Sequence, residues 1–267
     1  MNEHMATYRD GFPVGMTQIV SHDAPDNPSQ IGIAVLRLCA GERVLSIPTR
    51  ETAWLLMSGM VRCRVAETTT MLSRSSLFDE SASCVHAPAR ASVVLEAISD
   101  LELTIYDCGN QRDFPARVFT PAQVPNEQRG RGQVGDRALR FVRTIFDRTN
   151  SPPAVELVLG EVVTFPGGWS SYPPHHHPQH ELYHYRFTHP QGYGHAELGD
   201  AVVKVRQFDT IRIPAGLDHA QCAAPGYGMY YSWVIRHLID KPYTVPEFTH
   251  EHAWTMQSDA PYWRPEN

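Results

Sequence analysis

The 267-residue chain is short of cysteine, of long apolar runs and of surplus positive charge. Its five cysteines, Cys39, Cys63, Cys84, Cys108 and Cys222, are odd in number and widely spaced, with no C-x-x-C pair. That excludes a disulfide framework and fits reduced thiols of a cytoplasmic protein. Cys63 and Cys84 sit among strand-like apolar residues and read as core fillers. No apolar stretch approaches the length of a membrane span, and the start of the chain, Met1-Asn2-Glu3-His4, is polar, so no signal peptide is expected. Lys plus Arg number 23 against 29 Asp plus Glu, a net charge of -6. That balance, with no basic cluster interleaved with aromatics, argues against a general nucleic-acid or membrane-surface binder. The first half also lacks a convincing amphipathic helix.

What is present is strand rhythm. Ile31 to Cys39, Arg43 to Ile47, Glu51 to Met57, Val61 to Val65, Cys84 to Pro88, Ser92 to Ile98 and Leu101 to Tyr106 are short β-rich runs separated by turn residues, Ser58-Gly59 among them. The rhythm returns at Leu139 to Phe146 and continues through Ala154 to Thr164, Ser171 to His177, Glu181 to Phe187, Gly194 to Leu198, Ala201 to Val205, Thr210 to Ile213 and Met229 to Ile235. Short strands at regular spacing predict an all-β chain of barrels or sandwiches. Residues 1–112 read as a first barrel and 138–240 as a second, a weak repeat in which Glu51 can be laid on Glu181. Between them, 113–137 is polar and rich in Gly and Pro, and reads as a solvated linker that carries Arg129 and Arg131. The tail, 241–267, holds Tyr243, Phe248, Trp254, Tyr262 and Trp263, and should pack on a barrel or on a neighbouring subunit.

The chemistry concentrates in the second half. His175 and His177 are two apart, so on a strand they share a face, with His176 facing outward. Glu181 opens the next strand, and His219 follows the turn Pro214-Ala215-Gly216. Three imidazoles and a carboxylate aimed into one space would hold a divalent cation. His180 and His184 read as supporting or surface residues. This spacing resembles the two signature motifs of the cupin superfamily, with Thr188 and Phe208 standing where those motifs carry glycine.

The stretch Gly167-Gly168-Trp169-Ser170-Ser171-Tyr172-Pro173-Pro174-His175-His176-His177 resembles, more narrowly, the 5-deoxy-glucuronate isomerases of myo-inositol catabolism. Gly160 to Thr164, Glu181 to Phe187, Pro190 to Gly194 and Ala223 to Tyr231 fit the same family, which is related to the hexosulose-uronate ketol-isomerases. The resemblance covers most of the second half; the first half shares only the strand rhythm. It departs from the family in the short Pro178-Gln179-His180 connection and in Leu217-Asp218 before the last histidine. The resemblance implies two tandem cupin barrels with one divalent metal in the second, held by His175, His177, Glu181 and His219. Zn or Mn lead as the ion, with Fe or Ni as further options.

The implied reaction interconverts an aldose and a ketose in a sugar acid, 5-deoxy-D-glucuronate to 2-deoxy-5-keto-D-gluconate, either through an enediolate or by hydride shift. Strand alternation turns Tyr183 and Tyr185 to the same face as Glu181, so these three are the candidate catalytic residues; either phenol could equally be a core aromatic. His184 and Arg186 should face outward by the same parity. Arg143 and Arg212 are candidates to bind the substrate carboxylate. A homo-oligomer is expected from the aromatic tail. The competing readings are a cupin-type non-haem iron dioxygenase and a non-enzymatic sugar-binding cupin.

Overall fold

The computed structural model describes residues 4–266, and almost all of their regular structure is strand. The second barrel is two antiparallel sheets packed face to face. One has seven strands in the order Met5–Thr7, Asp209–Ile213, Glu181–Phe187, Met229–Arg236, Leu157–Thr164, Arg140–Phe146, Glu127–Arg129. The other has five, in the order Ala201–Arg206, Tyr193–Leu198, His219–Ala223, Trp169–His176, Glu247–Phe248. The first barrel is a nine-stranded sheet folded on itself around one long strand, Glu51–Val65. The fold is therefore the tandem cupin arrangement that the strand rhythm and motifs predict.

The long strand corrects the expected turn at Ser58-Gly59. The register slips between Leu56 and Ser58, and the chain bends but stays paired. Gly59 permits the bend: it has φ +94°, and a Cβ there would lie 2.3 Å from the carbonyl oxygen of Asp100.

Alternation along the strands sorts the apolar side chains into three cores. Trp54, Leu56 and Leu103 fill the first barrel, and Tyr183, Tyr185, Ile211 and Tyr231 fill the second. The opposite faces of the same strands, including Leu55, Tyr106, Leu159 and Leu182, meet in a third core between the barrels. Each such aliphatic side chain, withdrawn fully from water, contributes about 1.5–3 kcal/mol. This packing corrects the expectation for His184 and Arg186. They do point away from their own barrel, yet both are buried, because the first barrel covers that face. His184 Nδ1 lies 2.7 Å from Thr210 Oγ1, and Arg186 donates to Glu102 at 2.7 Å.

The inter-barrel seam is polar as well as apolar. Arg74 grips Glu161 with two bonds of 2.6 and 2.8 Å, and Tyr230 donates to the same carboxylate at 2.7 Å. The stretch 113–137 is woven into this arrangement. Arg117–Phe119 pairs with Cys84–Ala87 of the first barrel, Glu127–Arg129 pairs with Arg140–Phe146 of the second, and Phe119 and Val124 are buried. The turn-rich start holds strands too, and Met5–Thr7 crosses to the second barrel's sheet. Phe208, at a position of expected glycine, takes φ +66°, a left-handed conformation that costs a bulky residue about 1–3 kcal/mol. Its ring packs against Phe12 at 5.3 Å and under the Arg186 guanidinium at 4.5 Å, which offsets that strain. Among the described residues no helix is long and apolar enough to cross a membrane.

Candidate metal centre

The ligand-type side chains arrive from both sheets of the second barrel. His175 and His219 are direct cross-strand partners, so their rings meet at 4.4 Å. The Pro214–Gly216 turn is tied down where it matters: Gly216 N donates to the carbonyl of His177 at 2.8 Å. Glu181 comes from the facing sheet, at the start of its strand. His177, Glu181 and His219 are buried, and one ligand atom of each falls within 4.8 Å of the others. His177 Nε2 and His219 Nε2 each lie 3.2 Å from Glu181 Oε2. His175 lines the same cavity but stands slightly back, its ring 6.5 Å from that of His177. His176 turns away to Asp218 at 2.7 Å, and His180 accepts from the Ala215 amide, so neither enters the cluster.

The protonation pattern fits a cation. His219 Nδ1 faces the Leu217 carbonyl at 3.1 Å and His175 Nδ1 faces that of Pro173 at 3.3 Å. A carbonyl only accepts, so both Nδ1 atoms carry the proton and both Nε2 atoms present lone pairs. His219 Nε2 therefore points a lone pair at a carboxylate oxygen, and it has no hydrogen-bond partner; nor has His177 Nδ1. Buried imidazoles and a carboxylate gathered without a donor form a cation socket, and at His175 and His219 the outer N–H groups are already oriented by backbone carbonyls. Burial opposes the charge on Glu181, but the adjacent imidazoles of His177 and His219 outweigh it and bring the carboxyl down to about 2. Burial pushes His175 down to about 3, which keeps its imidazole neutral and able to ligate.

The cavity beside this cluster is lined by Arg129, Arg140, Val142, Val162, Ser171, His175, Glu181, Tyr183, Trp233, Tyr243 and Pro246. Trp233 fits because its strand partner is Gly160, where a Cβ would lie 2.3 Å from the indole. Tyr183 reaches the cavity, and a chain of hydroxyls holds its phenol. Ser171 Oγ is 3.1 Å from Tyr183 Oη and 3.0 Å from Tyr231 Oη, and Tyr231 donates to Ser170 at 2.9 Å. Burial first, and the Glu181 charge second, push the Tyr183 phenol well above its ordinary value, so it is a proton donor.

Other expected residues lie elsewhere. Tyr185 sits deeper in the barrel, where its phenol donates to Gln221 at 2.7 Å. Arg143 is a correction: it faces the inter-barrel seam, fully buried, and is committed to Asn126, the carbonyls of Leu77 and Phe78, and Glu161. One residue of parity decides this, since Val142 and not Arg143 shares the inward face. Arg212 is paired across strands with Leu182, on the outer face of the sheet, and bonds Asp26 at 3.1 Å. It lines a separate cavity that also borders Glu181, and not the one that holds His175 and Tyr183. Arg129, expected on a solvated linker, lines the latter, beside Arg140; its signal was the charge itself within a polar stretch, with nothing to say that the stretch pairs as a strand. The tail supplies Tyr243, whose ring is 5.1 Å from His177, and Phe248, 5.7 Å from His175.

Fold and cluster together define the class: a two-barrel cupin with a buried His/Glu group suited to a metal ion in the second barrel. The KduI/IolB family model matches residues 8–255, and the chain belongs to that family. It is 30% identical over 191 residues to a 5-deoxy-glucuronate isomerase from Geobacillus thermodenitrificans, covering 65% of this chain and 66% of that protein. The 5-deoxy-glucuronate isomerase of Geobacillus kaustophilus is likewise 30% identical over 191 residues, 65% of each chain. The matched segment thus spans slightly under two thirds of these relatives. The crystal structure of an IolB-like protein from Salmonella typhimurium superposes with a TM-score of 0.83 at 25% identity, covering 95% of this chain and 99% of that one. A variant of Bacillus subtilis oxalate decarboxylase shares the fold alone, with a TM-score of 0.65 at 11% identity over 92% of this chain and 79% of that one.

Proposed function

We propose that this chain is a metal-dependent aldose–ketose isomerase of a sugar acid, with 5-deoxy-D-glucuronate as its substrate and 2-deoxy-5-keto-D-gluconate as the product. The observation that carries the reading is the buried trio His177, Glu181 and His219 with its unpartnered lone pairs, beside a cavity that holds a neutral phenol. The similarity to 5-deoxy-glucuronate isomerases supports the substrate. His175, His177, Glu181 and His219 would hold the ion. A bound divalent cation would supply Lewis acidity, polarising a carbonyl and lowering the pKa of the neighbouring C–H.

The chain's own residues do the rest. The outer N–H bonds of His175 and His219 fix their rings, so the binding geometry is set before substrate arrives. Tyr183, held by Ser171, donates a hydrogen bond to the substrate oxygen on which negative charge grows as the proton moves between C1 and C2. Trp233, Val142 and Val162 wall the cavity with apolar surface and limit water around the reacting carbons. The enzyme works in the cytoplasm, and the aromatic tail provides a subunit contact. The test is elemental analysis of purified protein beside an isomerisation assay on 5-deoxy-glucuronate. Turnover that scales with metal content and is indifferent to oxygen is expected. Fully loaded protein that consumes oxygen, or that isomerises no uronate, would overturn the reading.

A further inference from the structure

We propose that Arg140, with Arg129 beside it, is the anchor for the substrate's carboxylate and restricts the site to aldoses whose far carbon is an acid. The inference rests on the isomerase reading for the identity of the reacting group, and on the following geometry for the anchor. Antiparallel pairing of Glu127–Arg129 with Arg140–Phe146 sets Arg129 directly opposite Arg140. Two like charges in that position destabilise a sheet. Arg129 is relieved by Glu127 at 2.7 Å. Arg140 is not relieved: among the described residues its guanidinium has one hydrogen bond, to the carbonyl of Ala138 at 2.9 Å, and no carboxylate within ion-pair distance.

The contrast with the chain's other enclosed arginines is sharp. Arg74 and Arg143 share Glu161, and Arg186 holds Glu102. Arg140 shares the inward parity of Val142 and lines the cavity that also contains His175, Glu181 and Tyr183. Burial, and then the Arg129 charge, disfavour its charged form. The nearby Tyr231 phenol is pushed up to about 12 and brings no negative charge at neutral pH. A planar cation with unspent donors, partly withdrawn from water and facing a cavity, calls for an anion that accepts two parallel bonds. A carboxylate at one end of a short sugar chain meets it while the carbonyl at the other end reaches the His/Glu cluster.

The test compares 5-deoxy-glucuronate with its C6 amide, on metal-loaded wild type and on Arg140→Met and Arg140→Lys, with metal content and melting temperature measured for each. Arg140→Met should keep its metal and raise KM for the acid on the order of 10²-fold, with kcat within tenfold of wild type and KM for the amide unmoved. Arg140→Lys should recover part of the loss, since it restores charge but not the two-pronged geometry. An acid KM unchanged in Arg140→Met, or acid and amide weakened equally, overturns the inference. Should Arg140→Met not fold, Arg140→Lys decides: a rise confined to the acid supports the anchor, and none overturns it. If wild type isomerises neither compound, the isomerase reading fails separately. Calorimetric binding of D-glucuronate and D-glucose then tests the anchor, which stands only if wild type prefers the acid and Arg140→Met abolishes that preference.

Discussion

Each barrel contains one buried glutamate bonded to histidine, and the two pairs do opposite work. In the first, Glu51 Oε1 meets His86 Nε2 at 2.9 Å, and the carboxylate also accepts from Asn110 at 2.6 Å and from the amides of Glu156 and Leu157 at 2.9 and 3.0 Å. Every lone pair is used, and two of those donors belong to the chain entering the second barrel. Glu51 is a clasp. In the second, Glu181 meets two histidines that leave His177 Nδ1 and His219 Nε2 without a hydrogen-bond partner, beside a cavity. Saturation makes a pair structural, and missing donors make it a binding site. The overlay of Glu51 on Glu181 also fails on facing. Glu51 shares the parity of Ala53 and Leu55 and looks into the core between the barrels, whereas Glu181 shares that of Tyr183 and looks inward.

Substitutions should separate the two. The largest effect is expected from His177→Ala: metal content falls and isomerisation drops by more than about 10³-fold, since a site short of one ligand holds the ion poorly. Stability without metal should change little. Retained metal with full turnover would remove His177 from the site. Glu51→Ala should do the reverse. It strands His86 and two backbone amides, so chemical denaturation should show a loss of about 3–5 kcal/mol, while metal per folded molecule stays constant. Loss of metal in a folded Glu51→Ala protein would mean that the pairs are coupled. Next, Tyr183→Phe should leave metal and fold intact and lower kcat about 10²-fold, the scale of one proton donor; a variant with full activity would assign Tyr183 to packing alone.

The smallest effect concerns acid. Glu51 and Glu161 are both held below the usual 4.5: burial opposes their charge, but His86 with Asn110 and the Glu156 amide outweighs it for Glu51, and Arg74 with Arg143 and Tyr230 for Glu161. A carboxyl depressed in the fold adds stability above its unfolded pKa, and that stability is lost as pH falls through the folded value. The unfolding free energy should therefore decline below about pH 4.5, and Glu161→Gln should start lower and decline less steeply over that range. An unchanged slope in melts taken from about pH 6 to pH 3 would show that another group sets the acid limb.

The chain's own order was enough to reveal the all-β class and the tandem barrels, and it singled out His177, Glu181 and His219, which the fold gathers into one cluster. Strand alternation and the Pro214–Gly216 turn are local, and local spacing decides which side chains share a face. What could not be read locally was which face of a strand becomes interior, because that depends on what covers it. His184, Arg186 and Arg143 point away from their barrel, and only the docking of the first barrel buries them. The bend at Gly59 looks like a turn in the sequence because glycine at positive φ serves both, and only the partner strands keep the chain extended. Arg129 stood in a stretch whose composition says solvent; it became a cavity residue when that stretch paired with Arg140–Phe146. Spacing singled out the His/Glu cluster, and tertiary packing decided its surroundings: hydrogen-bond saturation, like burial, is a property of neighbours brought together from distant parts of the chain.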